Sequence, residues 1–65
     1  MVGMRISQLR RERNMTQREL ARRLNVSPSA VGMYEQGRRQ PSADLIVAIC
    51  QTFAVSTQWL LTAKV

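Results

Sequence analysis

Apolar residues in this chain recur three or four positions apart, in short stretches broken by polar punctuation. Ile6 and Leu9 form one stripe, Leu20, Ala21 and Leu24 a second, and Ala30, Val31 and Tyr34 a third. Ile46, Ile49, Cys50 and Phe53 form a fourth, and Trp59 with Leu60 closes a fifth. That spacing places one apolar face on each helix, and no run alternates with the period of two that a half-buried strand requires. An all-α fold is expected.

The polar residues between the stripes mark where helices start and stop. Thr16-Gln17-Arg18-Glu19 is a capping box, with Thr16 as the cap and Glu19 three residues on to return the bond. Met15 and Leu20 stand at the two ends of a hydrophobic staple, repeated as Val26 and Val31 around Ser27 and as Val55 and Leu60 around Ser56. Ser42 is a fourth cap, followed by Asp44 where negative charge suits the helix dipole. Pro28 falls at a first helical position, where its missing N–H costs nothing. Asn14, Asn25 and Gly37 tolerate the left-handed backbone that ends a helix. These marks predict five helices over about 4–13, 17–24, 28–36, 43–53 and 57–62, in a single domain spanning 1–65.

The second and third of these helices are joined only by Asn25-Val26-Ser27, and such a turn with Val26 pointing inward is a helix-turn-helix. The outer face of the third helix then carries Ser29, Gly32, Met33 and Gln36 beside the cap Ser27. A solvated face normally carries Glu and Lys, and a glycine inside a helix costs up to about 1 kcal/mol against alanine. A face kept small and uncharged among arginines fits contact with something large, such as a groove.

Charge sharpens this picture. Ten Lys and Arg stand against four Asp and Glu, for a formal net charge of +6. Nine of the ten cations are Arg and all nine precede residue 40, against three Glu, whereas Lys64 merely balances Asp44 in the remainder. A one-sided field rich in Arg favours a polyanionic partner, the alternative being a basic face that serves only solubility.

Length and composition exclude the rest. Sixty-five residues bury only about 60% of their unfolded surface, so the core is thin. One Cys and no His leave no internal disulfide, no zinc ligand set and no His-dependent catalyst. Without paired carboxylates or a phosphate-binding Gly loop, neither an enzyme nor a cofactor is expected, and no small-molecule ligand is evident. The longest apolar run, Leu45–Cys50, is far short of the ~20 residues that span a bilayer, and Met1–Ile6 has no signal-peptide core. Cys50 reads as a small buried apolar residue, and a free thiol fits a reducing cytoplasm.

Taken together, Thr16–Ala21, Leu24–Val31, Tyr34-Glu35-Gln36-Gly37, Pro41-Ser42 and Phe53–Leu61 resemble the Cro/phage-repressor (Xre-type) helix-turn-helix family over residues 4–62. The resemblance implies a five-helix, lambda-repressor-like DNA-binding domain, bacterial or phage-encoded. Such a domain usually works as a homodimer on a palindromic operator, its third helix in the major groove. It implies that Ser27, Pro28, Ser29, Gly32 and Met33 face the bases. Gln17 would grip a phosphate at the anion-attracting start of the second helix, beside Thr16 and Arg18. Gln36 and the loop with Arg38 and Arg39 would follow the backbone.

The reading positions depart from a bidentate amide or Arg pattern. Pro28 has no donor, Met33 offers at most packing on a thymine methyl, and the serines are permissive. A large share of specificity is therefore expected from DNA shape and phosphate contacts.

Arg10 needs an acid partner, because its stem follows the inward stripe of Ile6 and Leu9. Glu19 closes a capping box, Glu12 lies off the stripe and Asp44 caps a helix, which leaves Glu35. The family resemblance points the same way. The rival reading turns Arg10 directly toward phosphate. Arg11, Arg13, Arg22 and Arg23 read as solvated faces, and Arg5 as a weaker phosphate candidate. Candidate dimer contacts are Leu61 and Val65 with Gln40, Thr57 and Gln58.

The function expected is a small transcriptional regulator, with no room at this length for a sensing domain. The alternative is a protein-interaction module on the same fold, such as an antitoxin or adaptor subunit.

Overall fold

The structure, a computed structural model, describes residues 2–62. Among them are five helices: α1 (Val2–Glu12), α2 (Gln17–Leu24), α3 (Pro28–Gln36), α4 (Ala43–Phe53) and α5 (Thr57–Leu61). The bounds of α2, α3 and α4 are those expected from their caps. Thr16 Oγ1 accepts from the Glu19 N–H at 3.0 Å, and Glu19 Oε1 accepts from the Thr16 N–H at 2.8 Å. Ser27, Ser42 and Ser56 each accept through Oγ from the N–H three residues on, at 3.1, 3.2 and 3.0 Å. Each satisfies a donor that the helix cannot.

Three ends differ from expectation. Helix α1 begins at Val2, two residues before the expected start, and ends at Glu12, while α5 ends at Leu61. No cap residue announces the start of α1. Its first turn is held by packing instead: Val2 lies against the core and Gly3 is buried. A Cβ added at Gly3 would collide with the Tyr34 carbonyl oxygen and lie 2.7 Å from that of Glu35. Glycine is thus required where α1 crosses the end of α3. Gly3→Ala is expected to cost about 1–3 kcal/mol in denaturant unfolding, the usual range for forcing atoms into a packed site.

A further difference is at the end of α4. Asn14, Asn25 and Gly37 have φ of 54°, 59° and 74°, as expected of helix terminators, but so does Ala54, at 56°. The helix stops there because Val55 turns back onto the core, its N–H donating to the Cys50 carbonyl at 3.1 Å. Left-handed backbone costs a non-glycine residue about 1–2 kcal/mol. Ala54→Gly is expected to raise stability by up to about 1 kcal/mol, part of the relief being offset by glycine's freedom in the unfolded chain. Thermal unfolding at fixed pH reads this as a higher midpoint.

Ile6, Leu20, Val31, Ile49 and Leu60 are the most deeply buried side chains, one from each helix. Helices α1 and α2 both pack chiefly on α3, and α4 and α5 close the other side. Leu45, outside the expected stripe, joins the core, whereas Trp59 is only half-buried. The Arg5 guanidinium covers the indole, 4.1 Å from its centroid. Cys50 is buried and unpaired, and burial pushes its thiol pKa up, away from thiolate reactivity.

Candidate nucleic-acid interface

The turn between α2 and α3 is built by hydrogen bonds that leave little freedom. Asn25 takes the left-handed conformation, the Val26 N–H donates to the Ala21 carbonyl at 3.0 Å, and the Val26 side chain packs on the core. This fixes α3 against α2 with its opposite side turned outward. Ser27, Pro28, Ser29 and Gln36 are exposed on that side, and Gly32 and Met33 half-buried. Ser27 Oγ accepts from the Ala30 N–H, which leaves its hydroxyl proton and one lone pair to offer a partner.

Behind this face the structure brings Arg10 and Glu35 together. Arg10 Nε donates to Glu35 Oε2 at 2.6 Å and Nη2 to Oε1 at 3.2 Å, with side-chain exposures of 13% and 8%. Arg10 Nη1 donates to the Met15 carbonyl at 2.8 Å. The Arg10 fork is therefore turned inward, tying α1 to α3 and to the loop before α2. The Gln17 side chain joins the same group, Nε2 donating to Glu35 Oε1 at 3.1 Å. The Arg10–Glu35 pair is the one expected from the sequence, and the bond from Gln17 takes one of its two Nε2 protons and leaves the other for an anion.

Thr16 is likewise committed, through both its hydroxyl oxygen and its N–H, to the capping box. The Thr16 N–H and hydroxyl hold the Glu19 carboxyl below the usual carboxylate range, with help from Arg22 and Arg23. Glu19 thus answers part of the positive end of α2, and the leading N–H groups of Gln17 and Arg18 remain for an anion.

The arginines divide by contact. Arg18, in the first turn of α2, and Arg38 and Arg39, in the loop after α3, are exposed, and the Arg39 guanidinium lies 5.9 Å from the Tyr34 ring centroid. The Arg38 N–H donates to the Met33 carbonyl at 3.0 Å, fixing the backbone of this loop against the end of α3. Arg13, expected on a solvated face, instead donates from Nη2 to the Phe53 carbonyl at 3.2 Å and lies over the Phe53 ring. It closes the end of α4, where a cation suits the dipole. No local signal could reveal that contact across the chain, nor the one between Arg5 and Trp59. Arg11, Arg22 and Arg23 are exposed.

Of the candidate dimer contacts, Leu61 is 53% exposed, and Gln40, Thr57 and Gln58 are exposed as well; Val65 lies outside the described residues. Met4 and Val47 are further exposed apolar side chains that the stripes did not single out. No helix among the described residues is long and apolar enough to cross a membrane.

This geometry has relatives. The sequence profile of the helix-turn-helix family matches residues 6–60. Antitoxin PezA of Streptococcus pneumoniae is 41% identical over 56 residues, 86% of this chain and 35% of the antitoxin. An uncharacterized HTH-type transcriptional regulator, y4dJ of Sinorhizobium fredii, is 34% identical over 62 residues, 95% of this chain and 80% of y4dJ. Against several curated relatives the chain spans only 35% to 47% of their length. Among solved structures, the P22 c2 repressor protein in complex with synthetic operator 9T superposes with a TM-score of 0.91. The match covers 98% of this chain and 97% of that one, at 23% identity, and establishes the likeness of fold.

Proposed function

This chain belongs to the helix-turn-helix family, and from that premise we propose that it binds double-stranded DNA sequence-specifically and acts as a small transcriptional regulator, most simply a repressor. The observation that carries this reading is the outer face of α3, small and without charge, with the exposed cations Arg38 and Arg39 in the loop that leaves α3 and Arg18 in the first turn of α2. An uncharged face suits the groove, where bases are read, and exposed cations suit the phosphates on either side.

In this reading α3 enters the major groove with Ser27, Pro28, Ser29, Gly32 and Met33 toward the bases. Gln36, Arg38 and Arg39 follow one strand, and the leading N–H groups of α2 with Thr16, Gln17 and Arg18 meet a phosphate. Direct readout is modest because no reading side chain makes a bidentate contact, so shape and deformability of the site carry much of the specificity. Two copies bind a palindromic operator, since half-sites about 34 Å apart compensate for the small interface of one module. The protein works in the cytoplasm of a bacterium or as a phage-encoded factor, and occupancy of a promoter blocks transcription.

Titration with a labelled duplex across salt tests this. Log K should fall linearly with log salt by about 0.9 for each phosphate neutralised, and base changes at non-contacted central pairs should alter affinity at constant slope. No affinity at low salt sinks the proposal. It favours instead an interaction module without DNA, the second reading, for which the likeness to an antitoxin is the specific support.

A further inference from the structure

The chain has three glycines, and the structure holds an internal reason for two of them. Gly3 admits no Cβ beneath the carbonyls of α3, and Gly37 ends α3 with φ of 74°. Gly32 has neither reason. It lies inside α3, where glycine lowers the folding equilibrium constant about five-fold relative to alanine. A Cβ placed there would meet, outside α3 itself, only the Gln17 carboxamide, 3.7 Å from Oε1 and 3.8 Å from Nε2. Those are ordinary van der Waals distances. Alanine fits the isolated protein at this position, yet glycine stands there.

We infer that Gly32 is glycine because of bound DNA: here the α3 backbone reaches van der Waals contact with the floor of the major groove, and a methyl group would hold the helix out. The inference rests on the DNA-binding function proposed above and deepens it. Ser27 and Ser29 are exposed on the same face, and the Ser27 hydroxyl is held in place as the cap of α3. The polar side chains that would reach the bases are therefore short. They cannot follow a helix that has been lifted, and a hydrogen bond weakens steeply once its donor and acceptor separate beyond about 3.2 Å. Arg38 and Arg39 have long, exposed side chains and can follow it to the phosphates.

Gly32→Ala separates folding from binding, with Gln51→Ala on the exposed face of α4 as the control for helix propensity. Gly32→Ala is expected to raise the melting temperature and yet to weaken binding to a duplex selected from random DNA by about tenfold or more, with an unchanged salt slope. The control should leave affinity alone. Affinity of Gly32→Ala within about twofold of the original, in a protein whose melting temperature has risen, overturns the inference and leaves the proposed function standing. A lowered melting temperature overturns it as well, because glycine would then serve the fold. So does a loss carried by a shallower salt slope, which would report phosphate contacts instead. Failure of the unsubstituted protein to bind any duplex at low salt overturns the proposed function itself, and is read before any variant is made.

Discussion

Glu35→Ala is expected to destabilise the protein by about 3–5 kcal/mol, the cost of breaking a buried ion pair by removing one partner. The pair is bidentate, with 2.6 and 3.2 Å bonds, and both side chains are largely shielded from water. Its removal strands the Arg10 guanidinium with the Met15 carbonyl as its remaining acceptor, and frees the Gln17 carboxamide. Whole-domain stabilities run at about 0.05–0.15 kcal/mol per residue, so in a chain this short the loss removes a large share of the total. Urea unfolding followed by circular dichroism measures the loss. Replacing both partners with apolar residues, Arg10→Met with Glu35→Leu, should recover most of it, since what costs is the unpaired charge and not the absence of the bridge. A single-variant loss below about 1 kcal/mol would place the pair among exposed surface bridges and remove its role in fixing α3.

Replacing Arg38 and Arg39 together by Ala is expected to leave folding nearly untouched and to remove most of the DNA affinity. Both side chains are exposed, and the Arg39–Tyr34 contact at 5.9 Å is a weak surface interaction. Each lost phosphate contact lowers the salt slope by about 0.9, so the proposed dimer, losing two contacts in each copy, loses about 3.6 in slope. At about 0.1 M salt, one log unit below 1 M, that is a fall of over a thousandfold in K. Fluorescence titration at several salt concentrations gives both numbers. An unchanged slope would mean that these residues do not touch phosphate, whatever else binds there.

The two predictions draw on residues that were legible to different degrees. The caps at Thr16, Ser27, Ser42 and Ser56 act on donors three residues away, so the whole signal lies within one turn of sequence. Arg38 and Arg39 stood out because they follow Gly37 at the end of an uncharged face. Glu35 was reached by elimination among four acids together with family resemblance. The Gln17–Glu35 bond was not legible, because a glutamine opening a helix looks the same whether it faces solvent or a neighbouring helix. Arg13 gave no sign of its partner on α4 for the same reason. Ala54 carried no mark of left-handed backbone, since its conformation follows from where Val55 docks and not from its own side chain.

The sequence by itself therefore determined the helices, their order, the helix-turn-helix and the one-sided charge, because caps, staples and apolar periods act over a few residues. Only the tertiary structure decided which of the nine arginines remain for a partner. Arg5, Arg10 and Arg13 are engaged with Trp59, Glu35 and Phe53, each contact joining distant parts of the chain. It also separated the glycines into two that the fold requires and one that it does not. Local propensity is additive along the chain, whereas the use made of a charge or a missing Cβ depends on which distant backbone arrives beside it.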